Sequence, residues 1–142
     1  MSRITIGHDH ESIEAILEAD GHRFARIDHL CWRGRFRSRD NIFPFMVHVD
    51  EERGLITMAI VPFMASPESD DLCKALYDRL LELNQVLFMA KFCIDDDLDV
   101  VLSVSHPTKD LQASELRDGL SALLYYADEH RDELLAVISE AS

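Results

Sequence analysis

Scarcities narrow the reading of this chain first. Only three cysteines occur in 142 residues, Cys31, Cys73 and Cys93. Their spacing makes neither a C-x-x-C site nor an even-numbered disulfide framework. An odd set of thiols in mostly apolar settings points to a reduced, cytoplasmic protein whose cysteines serve core packing. Glycine and proline number five and four, too few for a low-complexity or disordered chain. Lysine and arginine number 14 against 27 acidic residues, a formal net charge of -13. Such acidity disfavours unaided binding to nucleic acid or an anionic membrane. No apolar run approaches the roughly 20 residues of a membrane-spanning helix, and the opening MSRITIGHDHESIEAILEAD holds no uninterrupted signal segment. A G-x-G-x-x-G fingerprint and a phosphate-binding loop are also missing, so no cofactor is expected.

What is present is a foldable chain. Hydrophobic residues make up 47%, enough at this length for one domain, residues 1–142, with a real core. The stretch from Asp70 to Lys91 organises it. Leu72, Leu76, Leu80, Leu83 and Leu87 recur at helical spacing, with Cys73, Tyr77, Leu81, Asn84 and Phe88 as a neighbouring row. This apolar arc is wider than one sheet contact needs, so the second row is expected to meet another copy of the chain. Ser69 or Asp70 can cap the first turn.

In chain order, Asp9 to Ala19 reads as a helix with Ile13, Ile16 and Leu17 as its stripe and Gly21 as its stop. His22 to Phe36 uses both parities loosely, which suggests one irregular or bulged strand, or a short hairpin. Ile42 to Asp50 is a clearer strand, in which Pro44 needs a position without a ladder donor. Asp50-Glu51-Glu52-Arg53-Gly54 is the best turn, and Leu55 to Phe63 resumes a central strand. After the organising helix come short strands at Phe92 to Ile94 and Asp99 to Ser105. Ser114 then starts a helix to Ile138, in one piece or broken near Asp128 to Asp132. The order is α-β-β-β-α-β-β-α, an α+β fold with an antiparallel five-stranded sheet.

The stretches FPFMVHVDEERGLI at Phe43 to Ile56, LLELNQVLFMAKFCIDDD at Leu80 to Asp97 and DVVLSVSHP at Asp99 to Pro107 resemble the YbjN family, whose fold looks like that of type III secretion chaperones. The helix holding SELRDGLSALLYYAD follows in the expected order. The resemblance covers about Glu11 to Glu133. It implies a small, commonly dimeric α+β domain that binds proteins, of sensory or regulatory character and without established chemistry. Asn84 resembles the asparagine of the family's central-helix pattern, a structural position.

Local features supply the candidate sites. Arg33, Arg35, Arg37 and Arg39 alternate, so an extended segment turns them to one side. With Trp32 they are the candidate partner-binding residues, suited to phosphate, a carboxylate-rich peptide or an acidic subunit face. Charge pairing within the chain is the bland alternative. Asp95, Asp97 and Asp99 are a weak calcium candidate lacking the EF-hand pattern, and a solvated turn explains them as well. His8-Asp9-His10-Glu11 lacks H-E-x-x-H spacing. Ser103, Ser105 and His106 lack a triad relation. The expected homodimer interface is Tyr77, Leu81, Asn84 and Phe88.

These features favour a non-catalytic, chaperone-like or regulatory module that binds a protein or peptide as a homodimer. The alternatives are a small-molecule enzyme with a dispersed polar site and a calcium-responsive regulator.

Overall fold

The computed structural model describes residues 10–139, with side chains from Ser12 onward. Its elements are α1 (His10–Ala19), β1 (Arg23–Asp28), β2 (Cys31–Arg37), β3 (Ile42–Asp50), β4 (Leu55–Ala65), α2 (Asp70–Asn84), β5 (Lys91–Ile94), β6 (Asp99–Pro107) and α3 (Ala113–Ser139). The strands form one sheet in the order β1-β2-β3-β4-β6-β5, antiparallel at every pairing. Helix α2 carries the chain from β4 past β6 to the edge strand β5.

The sheet has six strands, not the expected five, because the segment before Arg37 is a hairpin. Its turn carries no Asn-Gly or Gly signal. Leu30 itself takes the left-handed conformation, with φ 59°. The strain is held by burial: Leu30 is almost wholly buried and its carbonyl accepts from the Val49 amide at 2.9 Å. A bulge between Arg26 and Asp28 scrambles the alternation that would have marked two strands. Two other expectations hold: Gly21 (φ 76°) follows α1, and Gly54 (φ 66°) closes the β3–β4 loop.

Helix α2 starts where Ser69 Oγ accepts from the Leu72 amide. It ends at Asn84, seven residues short of the expected Lys91. Helix α3 is unbroken. It begins one residue before Ser114, and the cap is a reach-back: the Glu115 carboxylate accepts from the Gln112 amide at 3.0 Å.

Alternation along the strands builds the core. Trp32 and Phe36 of β2, Phe43, Phe45 and Val47 of β3, Met58 and Ile60 of β4, and Leu102 and Val104 of β6 are buried on the inner face. Ile13 and Leu17 of α1, Leu76, Leu80 and Leu83 of α2, and Leu116, Leu120 and Leu123 of α3 complete the cluster. The Phe36 and Phe45 rings stack 4.1 Å apart. Phe45 pairs across the ladder with Gly34, where a Cβ would stand 1.9 Å from the Arg23 carbonyl oxygen and 2.6 Å from the Phe45 ring. Gly34→Ala is therefore expected to cost about 3 kcal/mol, at the upper end for overpacking, read as a lower urea midpoint.

Helices α2 and α3 are also joined by charge. Glu133 of α3 receives hydrogen bonds from Arg79 at 3.1 Å and from His130 Nδ1 at 2.7 Å. Burial pushes the Glu133 carboxyl up, but these bonds and charges outweigh it and hold it below its ordinary value. A depressed carboxylate stabilises above its unfolded value, and that contribution is lost as pH falls through the folded one. Glu133 is partly exposed, so Glu133→Gln should cost no more than about 1 kcal/mol at neutral pH. Thermal melts of the two proteins should converge in acid.

Candidate functional site

All three helices lie on the inner face, so the outer face of the sheet carries the side chains of opposite parity. One row crosses all six strands: Ala25, Arg33, Met46, Ala59, Ser103 and Lys91 are successive cross-strand partners. Beside it run Arg23, Arg35 and Pro44. Met46, Ala59, Val61 and Val101 floor a shallow hollow of about 420 Å³, with Thr57 and Ser105 at its rim. Thr57 Oγ1 and Ser105 Oγ lie 3.0 Å apart, so that rim is internally hydrogen-bonded.

Arg33, Arg35 and Arg37 stand exposed on this face, as β2 alternation requires. Arg39 is exposed in the β2–β3 loop. None of the four reaches a carboxylate within ion-pair distance among the described residues, nor does Arg23. Among the described residues, these arginines therefore form no ion pair within the chain. Trp32 does not join them. It occupies the other parity and is fully buried, with its indole Nε1 lacking a hydrogen-bond partner among the described residues. A side chain in the core cannot stack on a partner, so Trp32 leaves the candidate set.

The four candidate interface residues also separate. Leu81 and Phe88 are 67% and 75% exposed. Tyr77 is half-buried and its hydroxyl lies 2.6 Å from Ser66 Oγ. Asn84 turns inward: its Nδ2 donates to the Phe92 carbonyl at 3.0 Å, and its Oδ1 accepts from the Phe92 amide at 2.8 Å. The side chain acts as a strand partner for β5, which commits its oxygen and one of its two N–H groups within the chain. Because α2 stops at Asn84, Val86 (73% exposed) and Met89 join Leu81 and Phe88 in an exposed apolar cluster. Asn84 itself, a residue that favours helix ends, was the sequence signal for that early stop.

The remaining candidates resolve as follows. Carboxylate oxygens of Asp95, Asp97 and Asp99 lie within 4.8 Å of one another. Asp95 Oδ1 accepts from the amides of Asp97 and Asp99, both at 2.9 Å, which makes it the builder of the β5–β6 turn. Ser103 and Ser105 share one parity of β6 and His106 the other, so the histidine and the serines point to opposite faces. The cysteines are not core: Cys31 and Cys73 are half-buried and Cys93 is exposed on the outer face. Cys73 Sγ donates to the Pro67 carbonyl. Burial pushes the Cys31 and Cys93 thiols up, which keeps them protonated. The His8-Asp9-His10-Glu11 reading lies outside the described side chains.

Residues 9–136 match the YbjN family, described as "putative bacterial sensory transduction regulator". The chain belongs to the YbjN family. That description is of a regulator, not an enzyme. The fold of this YbjN-family chain is also that of type III secretion chaperones. It superposes on ExsC–ExsE complex coordinates with a TM-score of 0.63, at 15% identity over 89% of this chain and 96% of the other. Against YbjN from E. coli, described as a putative transcription regulator, the TM-score is 0.58 at 14% identity, covering 97% and 93%. Against the Yersinia pestis type III secretion chaperone SycH, solved with a fragment of YscM2, it is 0.52 at 19% identity, covering 82% and 93%. No curated protein sequence matches the chain. No helix among the described residues is long and apolar enough to cross a membrane.

The inward role of Asn84 is directly testable. Asn84→Ala leaves the Phe92 amide and carbonyl without their partner, which should cost about 1–3 kcal/mol. Chemical denaturation should show this loss, while sedimentation shows no change in association.

Proposed function

We propose that this chain is a non-catalytic protein-binding module, chaperone-like or regulatory, that acts in the cytoplasm as a homodimer of one 1–142 domain. The observation that carries the reading is the apolar cluster at the end of α2. Leu81, Val86, Phe88 and Met89 fall within nine residues and stay in contact with water. Exposed apolar side chains gathered within so short a stretch, on a chain with a well-buried core, favour a protein contact. Burial against its own copy removes each of these side chains from water, at about 25 cal/mol per Å² of apolar surface.

The outer sheet face supplies the second contact. Its apolar hollow accommodates side chains of an extended segment, and Arg33, Arg35, Arg37 and Arg39 select acidic residues beside it. The similar structures solved as two-protein complexes support a partner-holding role for this fold.

The test is sedimentation over a range of concentrations for wild type, Leu81→Glu and Phe88→Glu. Wild type should sediment as a dimer. Each variant, keeping native-like circular dichroism because the replaced side chain is already exposed, should weaken dimerisation by about tenfold or more. A wild type that stays monomeric at every concentration contradicts the dimer. A dimer unchanged in both folded variants places the interface elsewhere.

A further inference from the structure

We infer that the cleft between the α1–β1 turn, the β2–β3 end of the sheet and α3 is a binding site for a phosphoryl group on a small soluble ligand. The cleft holds about 450 Å³ and is lined by Arg23, Arg35, Arg37 and His22, with Ile42 and Leu124 as an apolar wall.

Three observations point there. First, Arg23 and Arg35 are direct cross-strand partners. Like charges opposite one another on a ladder repel, and guanidinium groups cannot relieve this by deprotonation. Arg37 adds a third positive charge on the same parity of β2. Second, the cleft's own acid does not compensate them. Asp20 lies 3.7 Å from Arg117 of α3, and none of the three arginines reaches a carboxylate among the described residues. In a chain with 27 acids, this cluster of cations is left uncompensated. Third, His22 is held in place. Its ring lies 4.8 Å from that of Phe36 and 5.9 Å from that of Phe45, and its ring nitrogens have no hydrogen-bond partner among the described residues.

The charge and geometry select the ligand class. One carboxylate occupies one guanidinium fork, whereas a phosphoryl group offers several oxygens and up to two charges to neighbouring forks. The cleft is larger than a bare phosphate ion. The rest of the ligand lies along Ile42, whose 54% exposure is otherwise unexplained, and Leu124. Arg33 and Arg39 lie outside this cleft. The inference is independent of the dimer; it shares Arg35 and Arg37 with the proposed outer-face contact and is told apart from it by Arg33 and by the peptide control.

The experiment is calorimetry with inorganic phosphate and pyrophosphate, and with an oligoaspartate peptide as the carboxylate control, all at matched ionic strength. Wild type should bind the phosphate probes saturably. Arg35→Ala and Arg37→Ala should each weaken that binding by about tenfold, and Arg33→Ala should leave it within about twofold. Arg35→Lys should recover part of the loss. A thermal melt in low salt checks folding: Arg23→Ala and Arg35→Ala should each melt at or above the wild-type temperature, since each removes a like-charge contact. No saturable phosphate or pyrophosphate binding overturns the inference, as does binding unchanged in Arg35→Ala and Arg37→Ala. Binding of the peptide without the phosphates also overturns it, while leaving the protein-binding reading intact.

Discussion

In a strand, successive side chains leave on opposite faces, and the two surfaces of this molecule follow from how β2 uses that rule. Cys31, Trp32, Arg33, Gly34, Arg35, Phe36 and Arg37 alternate between core and outer face. Trp32 and Phe36 can enter the core only if the arginines face away from it. A slip of one residue would bury three guanidinium groups and expose both aromatic rings, so the register is strongly enforced. The stacking of Phe36 on Phe45 fixes it further, and that stack requires a residue without a Cβ at position 34. The basic row is thus coupled to the most closely packed part of the core.

A comparable coupling operates at the other end of the sheet. Asn84 ends α2 and, with both polar atoms of its amide, pairs with the backbone of Phe92. The connection from α2 to β5, residues 85–90, contains Met89 in the left-handed region. Its buried anchors are Leu87, half-buried, and Ala90, while Val86 and Phe88 turn outward. The Phe88 amide donates to the Tyr126 hydroxyl of α3 at 3.0 Å, which ties this exposed segment to the helix layer. The apolar cluster therefore sits on a braced turn, a surface suited to a contact with little ordering cost.

The sequence made legible what rests on strong periodicity. The strand at Ile42–Asp50, the strand expected at Asp99 to Ser105 that runs on to Pro107, the Gly54 loop, the long last helix and the all-antiparallel order follow from alternation, a glycine and short connections. The missed features are those in which tertiary packing overrides local preference. Leu30 turns a hairpin that no turn residue announces, because its side chain is worth burying and its carbonyl finds Val49. Asn84 breaks a helical pattern that apolar spacing would continue to Leu87. The arginine row was visible from its spacing. Arg23 belongs to the same basic segment in the sequence, but its place opposite Arg35, and the part of His22, come only from pairing of β1 with β2 and stacking on Phe36. Trp32 was misplaced by grouping it with its charged neighbours instead of by parity.

The central claim proposed is that the uncovered sheet face holds an extended, acid-rich polypeptide through arginines that reach no carboxylate among the described residues. The most direct measurement is calorimetric titration of a purified acid-rich partner segment, identified by capture on the wild-type chain. The titration is run against wild type and against Arg33→Glu/Arg35→Glu/Arg37→Glu, each at two salt concentrations. The account predicts saturable binding by wild type that weakens with salt and is lost in the folded, charge-reversed variant. Binding of equal strength to both proteins, or binding that salt does not weaken, would contradict it.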